Sequence, residues 1–151
     1  MAEQTHLQAA RAQREALHQA LVGLEDALST PIGDAARWRL RVAMAMEHAA
    51  SRVDEHIFHT EAPGGLLQRV VEEAPRLSCR ADRLRADHVD LRREAVRLQG
   101  ALAQIDDGEV KDRGIPIRND ALDFLGQLAR HRQRGADLVY EAYQVDIGDS
   151  H

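Results

Sequence analysis

Two stop signals divide this chain and limit what it can fold into: "STPIGD" at 29–34 and "EAPGG" at 61–65. Proline and glycine in such clusters end helices, and the segments on either side carry apolar residues at helical spacing. No segment alternates with period two over a useful length, so sheets are excluded. The first helix is expected from about Thr5 to Leu28, with Leu7, Ala10, Leu17, Leu21, Leu24 and Leu28 on one stripe. The second is expected from Ala35 to Glu61, behind Asp34 as N-cap. Its inner stripe holds Trp38, Val42, Ala45, Met46, Ala49, Val53 and His56.

A short helix over Leu66–Glu73 leads into Pro75, and a third long helix follows from Pro75 to about Ala103. Leu77, Ala81, Leu84, His88, Leu91, Ala95 and Leu102 share its inner face. "DDGEVKDRGIP" reads as a polar loop, so the fourth long helix is expected from Arg118 to Tyr143, with a short tail over 144–151. Four long amphipathic helices with short connections make one domain over residues 1–151, all-α, an up-down-up-down four-helix bundle.

Composition narrows the function classes. A net charge of −5 and 3% aromatics supply neither the basic stripe nor the stacking platform of a nucleic-acid binder. No apolar run approaches the roughly 20 residues of a membrane span, and the N-terminus lacks the charged and apolar regions of a secretion signal. The single Cys79 excludes an internal disulfide and suits a reducing cytoplasm; it falls on no catalytic pattern and is expected to be a buried, inert thiol.

Histidine is the outlier, with eight in 151 residues. In "DEHIFHTEAPGGLL", His56 points inward, while Glu55 and His59, like His48, belong to the solvated face. Each long helix offers one internal or marginal histidine: His18, His56, His88 and His131. Bundles build their metal sites from side chains on facing helices, and buried imidazoles each need a partner. A core histidine is more often satisfied by a hydrogen bond than by a metal, but one per helix makes a metal site in the core a candidate beside that structural role.

The order of these features resembles the hemerythrin-like (HHE cation-binding) family, most closely its actinobacterial-type members. The resemblance rests on "EALHQAL", "EHIFHTEAPGGLL", "APRLSCRADRLRADHVDLRREAVRL" and "RHRQRGADLVYEAYQVDIG", and covers nearly the whole chain. It implies a four-helix bundle with non-haem iron that binds or reacts with dioxygen, peroxide or nitric oxide. By position it implies His18, His56, His88 and His131 as metal ligands, with Glu61 as the acid closest to the second-helix motif.

The ligand set departs from the family pattern. Thr60 stands where an acid would follow His56 by four residues, and Leu84 stands where a histidine would precede His88. Gly135 and Ala136 stand where acids would follow His131, and Asp137 is turned outward. A standard di-iron centre is therefore not expected. The expectation is a modified histidine-rich site for iron, zinc or another divalent metal, in a binding protein rather than a classical enzyme. The alternative is a metal-free bundle, its core refilled by Leu84 and Gly135–Ala136, serving protein interaction or ligand sensing. In that alternative Arg85, Arg92 or Arg132 would pair with Glu61.

Overall fold

The computed structural model describes the backbone of residues 2–149 and the side chains of residues 8–143. It is all-helical over those residues and forms a four-helix bundle. The long helices are α1 (Ala2–Leu28), α2 (Ala35–Glu61), α4 (Ser78–Gln104) and α5 (Val110–Asp149); the short α3 spans Leu66–Glu73. Single 3-10 turns at Pro75–Leu77 and Asp107–Glu109 lead into α4 and α5. Helix α1 packs on α2, α2 on α4, α4 on α5, and α5 returns to α1.

The expected bounds of α2 and α3 match the structure, those of α1 and α4 differ by one to three residues, and those of α5 differ at both ends. Residues 106–116 are not a loop: α5 begins at Val110 and carries Pro116 inside it. The reading failed because an interior proline normally excludes a helix. The helix starts nonetheless behind a capping box, in which Asp106 accepts from the Glu109 backbone and Glu109 from the Asp106 backbone. Burial of Val110, Gly114 and Ile117 in the main core, beside Trp38, offsets the missing donor at Pro116. The expected tail over 144–151 is likewise helical as far as Asp149.

Two apolar cores stack along the bundle. The main one joins Leu17–Leu28 of α1 to Trp38, Val42, Met46 and Val53 of α2, Leu91 and Leu98 of α4, and Phe124 and Leu128 of α5. A smaller one gathers Leu67 and Val70 of α3, Leu77, Ala81 and Leu84 before and along α4, and Leu138 and Ala142 of α5. Among its described side chains α1 meets the core from Leu17 onward, and Ala10, expected on its buried stripe, is exposed. Leu7, His6 and His151 lie outside the described side chains. Cys79 is exposed rather than buried, because α4's first turn shows that position to solvent. Among the described residues, no helix is long and apolar enough to cross a membrane.

Candidate metal centre

The inner stripes of α4 and α5 change cores at a histidine. On α4, Leu84 belongs to the small core and Leu91 to the main core, with His88 between them; on α5, His131 falls between Leu128 and Leu138. On α2, His56 follows Val53 by one turn and points to the same junction. Helical spacing of three to four residues keeps each histidine on its apolar stripe. His88 and His131 are buried, at 3% and 2% exposure, and His56 is half-buried.

The three rings meet tip to tip. Nε2 of His131 is 3.1 Å from Nε2 of His88 and 3.2 Å from Nε2 of His56. One donor atom from each of the three lies within 4.8 Å of the other two. Nitrogens that share one tetrahedral ion at about 2.0–2.1 Å lie about 3.3–3.4 Å apart. The separations here are close to that.

The outer nitrogens meet carboxylates. His131 Nδ1 donates to Asp87 Oδ2 at 3.0 Å, and Arg134 Nη1 donates to the same oxygen at 2.7 Å. Nδ1 of His88 has no hydrogen-bond partner, and the nearest acid is Glu61 Oε1 at 3.4 Å. Glu61 also lines an open groove of about 520 Å³ between the end of α2, α3 and the start of α4. Helix α2 remains regular to its last residue, with Ala62 N–H donating to Phe58 O. No bulge turns Glu61 inward; its long side chain reaches the outer edge of His88 instead.

These contacts create a proton problem. Asp87 fixes the proton of neutral His131 on Nδ1, which leaves a lone pair on Nε2. His88 can carry its proton on Nε2, which turns a bare Nδ1 toward the Glu61 carboxylate. Alternatively it carries the proton on Nδ1, which sets two Nε2 lone pairs 3.1 Å apart. His56 brings a third Nε2 to the same lone pair of His131. No arrangement of neutral imidazoles satisfies all of these groups, and buried unsatisfied polar groups are costly. A cation among the Nε2 atoms would satisfy every one, with both carboxylates accepting from the outer N–H groups.

A second proton on His131 would reach both neighbouring Nε2 atoms, but burial opposes it. Burial, with His131, His88 and Arg132 as further positive neighbours, lowers the His56 pKa to about 3. Burial and His131 lower that of His88 to about 4. Burial also lowers His131, although Asp87 opposes the shift. Burial works against ionisation of Asp87, yet the bonds from His131 and Arg134 hold its carboxyl below the usual range. At neutral pH the site is three neutral imidazoles and an ionised Asp87, the protonation state that metal binding needs.

Of the residues expected as ligands, the structure brings together His56, His88 and His131. His18 stands apart on the exposed side of α1, where its Nδ1 accepts from Arg132 Nη1 at 3.3 Å. Glu61 stands behind His88 and is not among the converging donors. His48, Glu55 and His59 are exposed, as expected. Arg85 and Arg92 pair with Asp82 and Asp54, not with Glu61. Leu84 is buried and closes one side, but Ala136 is exposed and a Cβ at Gly135 would meet nothing within 4 Å. The proposed refilling of the core is thus incomplete.

A paired-iron centre does not fit this donor set. Among the described residues the converging atoms are three neutral nitrogens, with no carboxylate among them to bridge two ions. A single ion fits. Sequence reasoning missed Asp87 and Arg134; their only signal was an acid immediately before His88, and it serves the ring on the facing helix. The arrangement defines a class, a helical bundle with a buried three-histidine cluster. No family model matches the chain, and no curated protein or solved structure matches it significantly.

Proposed function

We propose that this chain is a metal-binding four-helix bundle, hemerythrin-like in the order of its histidine-bearing helices, that holds one divalent transition-metal ion on His56, His88 and His131. The observation that supports this reading best is the set of three Nε2 atoms around His131 that no placement of one proton per ring satisfies. Imidazole suits zinc, iron, copper and nickel, and three protein ligands leave a position open for a further ligand. Such an ion supplies Lewis acidity and a binding point for a small molecule. Asp87 and Glu61 orient the rings and raise their basicity. The paired-iron handling of dioxygen, peroxide or nitric oxide implied by the family likeness is not part of this proposal, because the carboxylates it needs are displaced or missing.

The test is elemental analysis and equilibrium dialysis of tag-free protein against zinc, iron(II), cobalt(II), nickel and copper. We expect about one equivalent of at least one metal, lost in His131→Ala and in His88→Ala, and retained in His18→Ala. Failure of the protein to retain any of these ions would overturn the proposal.

A further inference from the structure

The side of α5 turned away from the bundle carries Ile115, Leu122, Ala129 and Ala136 at intervals of seven residues, with Asn119, Gly126, Gln133 and Tyr140 on the adjoining row. Two rows of period seven, offset by four, make one continuous helix face. Ile115, Leu122 and Tyr140 are 55%, 42% and 63% exposed, and Ala129, Gln133 and Ala136 are exposed beside them. From Asn119 to Ala136, about five turns, neither row holds a charged residue. The outward faces of α2 and α4 differ. Exposed apolar residues of α2 stand among Arg37, Glu47 and Glu55, and those of α4 among Asp90, Arg93 and Arg97.

Charge stands at the edge of this face, on the side toward α4. Asp123 and Arg130 are themselves seven residues apart, and Arg130 lines the cleft that α5 forms with Asp90 and Leu91 of α4. Both are exposed, and among the described residues neither has an ionic partner. Asp120 and Arg134 of the same helix are matched, with Arg97 and Asp87. Gly126 falls midway between Asp123 and Arg130. A Cβ there would meet only Arg130 Nη1, at 3.4 Å, the far end of a flexible side chain. Another helix can therefore approach the α5 backbone closely at Gly126 and Ala129.

We propose that the outer face of α5 is a self-association surface, on which a second copy of this chain packs its own α5 antiparallel, crossing at Gly126 and Ala129. In a two-fold antiparallel pair, residues on the same edge of the two helices oppose one another. Asp123 of each copy then meets Arg130 of the other, and the two reciprocal pairs straddle the crossing. A parallel pair would instead set Asp123 against Asp123 and Arg130 against Arg130. Leu122 packs beside Ala129 of the other copy, and Ile115 extends toward its Tyr140. A centre without charge and a rim of paired charge is the composition of a specific interface. This face is opposite the inner stripe that carries His131, so the inference does not depend on the metal reading.

The test is sedimentation velocity of the tag-free chain from about 5 to 500 µM, since one helix per copy makes an interface at the small end of the range for specific association. A reversible monomer–dimer equilibrium is expected within that range. Leu122→Glu and Gly126→Leu should each weaken it about tenfold or more, with the circular dichroism and Tm of the dilute monomer unchanged. Asp123→Arg and Arg130→Asp should each weaken it as well, because each sets like charges against one another. The double variant Asp123→Arg/Arg130→Asp should recover the dimer. Protein that stays monomeric throughout overturns the proposal and leaves the face to a partner of another kind. A dimer that survives Leu122→Glu, or one that the double reversal fails to recover, overturns it too.

Discussion

Asp87 and His88 are consecutive residues on α4, and they hold opposite ends of one ring on α5: Asp87 binds Nδ1 of His131 at 3.0 Å, and His88 Nε2 approaches its Nε2 at 3.1 Å. A single step of the helix thus supplies both the carboxylate that fixes His131's tautomer and a candidate co-ligand beside its lone pair. Replacing Asp87 by Asn frees the ring to turn or to carry its proton on the wrong nitrogen. The expected outcome is a loss of metal affinity of about 10–100-fold with the fold intact, measured by competition with a chromophoric chelator. Unchanged affinity would show that Asp87 serves only Arg134.

Metal should also stabilise the fold, because the site does not exist in the unfolded chain. At a free zinc concentration of about 100 times Kd, the gain is about 2.7 kcal/mol, or roughly 5–10 °C in Tm for a chain of this size. Differential scanning fluorimetry with and without chelator reads this directly. His131→Ala should abolish the shift, whereas His18→Ala should keep it.

The metal-free protein should lose stability on acidification. His56 and His88 have folded-state pKa values of about 3 and about 4, against 6.5 when exposed. The unfolded chain therefore binds protons first. Their neutral burial costs nothing extra above about pH 6.5, and stability falls as the pH drops from there toward 4. Each group contributes a slope approaching 1.4 kcal/mol per pH unit. Urea midpoints at pH 7.5, 6 and 4.5 in chelator would show it, and His56→Phe should flatten the curve.

At the opposite end of the main core, Trp38 is fully buried and its indole Nε1–H has no partner. Trp38→Ala should cost about 3–5 kcal/mol. Trp38→Phe removes the unsatisfied donor as well as some volume, and should be milder by about 2 kcal/mol. Equal losses in a denaturant series would mean that the donor has found a partner.

The turn beneath Glu61 depends on close backbone packing. A Cβ at Gly65 would come within 2.6 Å of the His59 carbonyl oxygen, and the adjacent Gly64 has φ of 77°. Gly65→Ala should destabilise the protein by about 1–3 kcal/mol and displace the end of α2. Glu61 would then lose its place behind His88, and metal affinity measured at neutral pH should fall with it.

What was legible in the sequence was whatever depends on local periodicity. The stop signals and apolar stripes located α2 and α3, the four long helices and the inward direction of His56, His88 and His131, because helical geometry fixes which residues share a face. The start of α5 was misread because Pro116 is a strong local signal, outweighed here by a capping box and by burial in the main core beside Trp38. Only the tertiary structure decided which histidines meet. His18 follows the buried Leu17 by one residue, but at the shoulder of the stripe it is exposed and its ring meets Arg132 on α5. Asp87 was invisible for a related reason: it serves the histidine on the facing helix, and no spacing along one helix encodes a contact across two. The sequence determined the three inward rings; the packing of α2, α4 and α5 brought their nitrogens to one point.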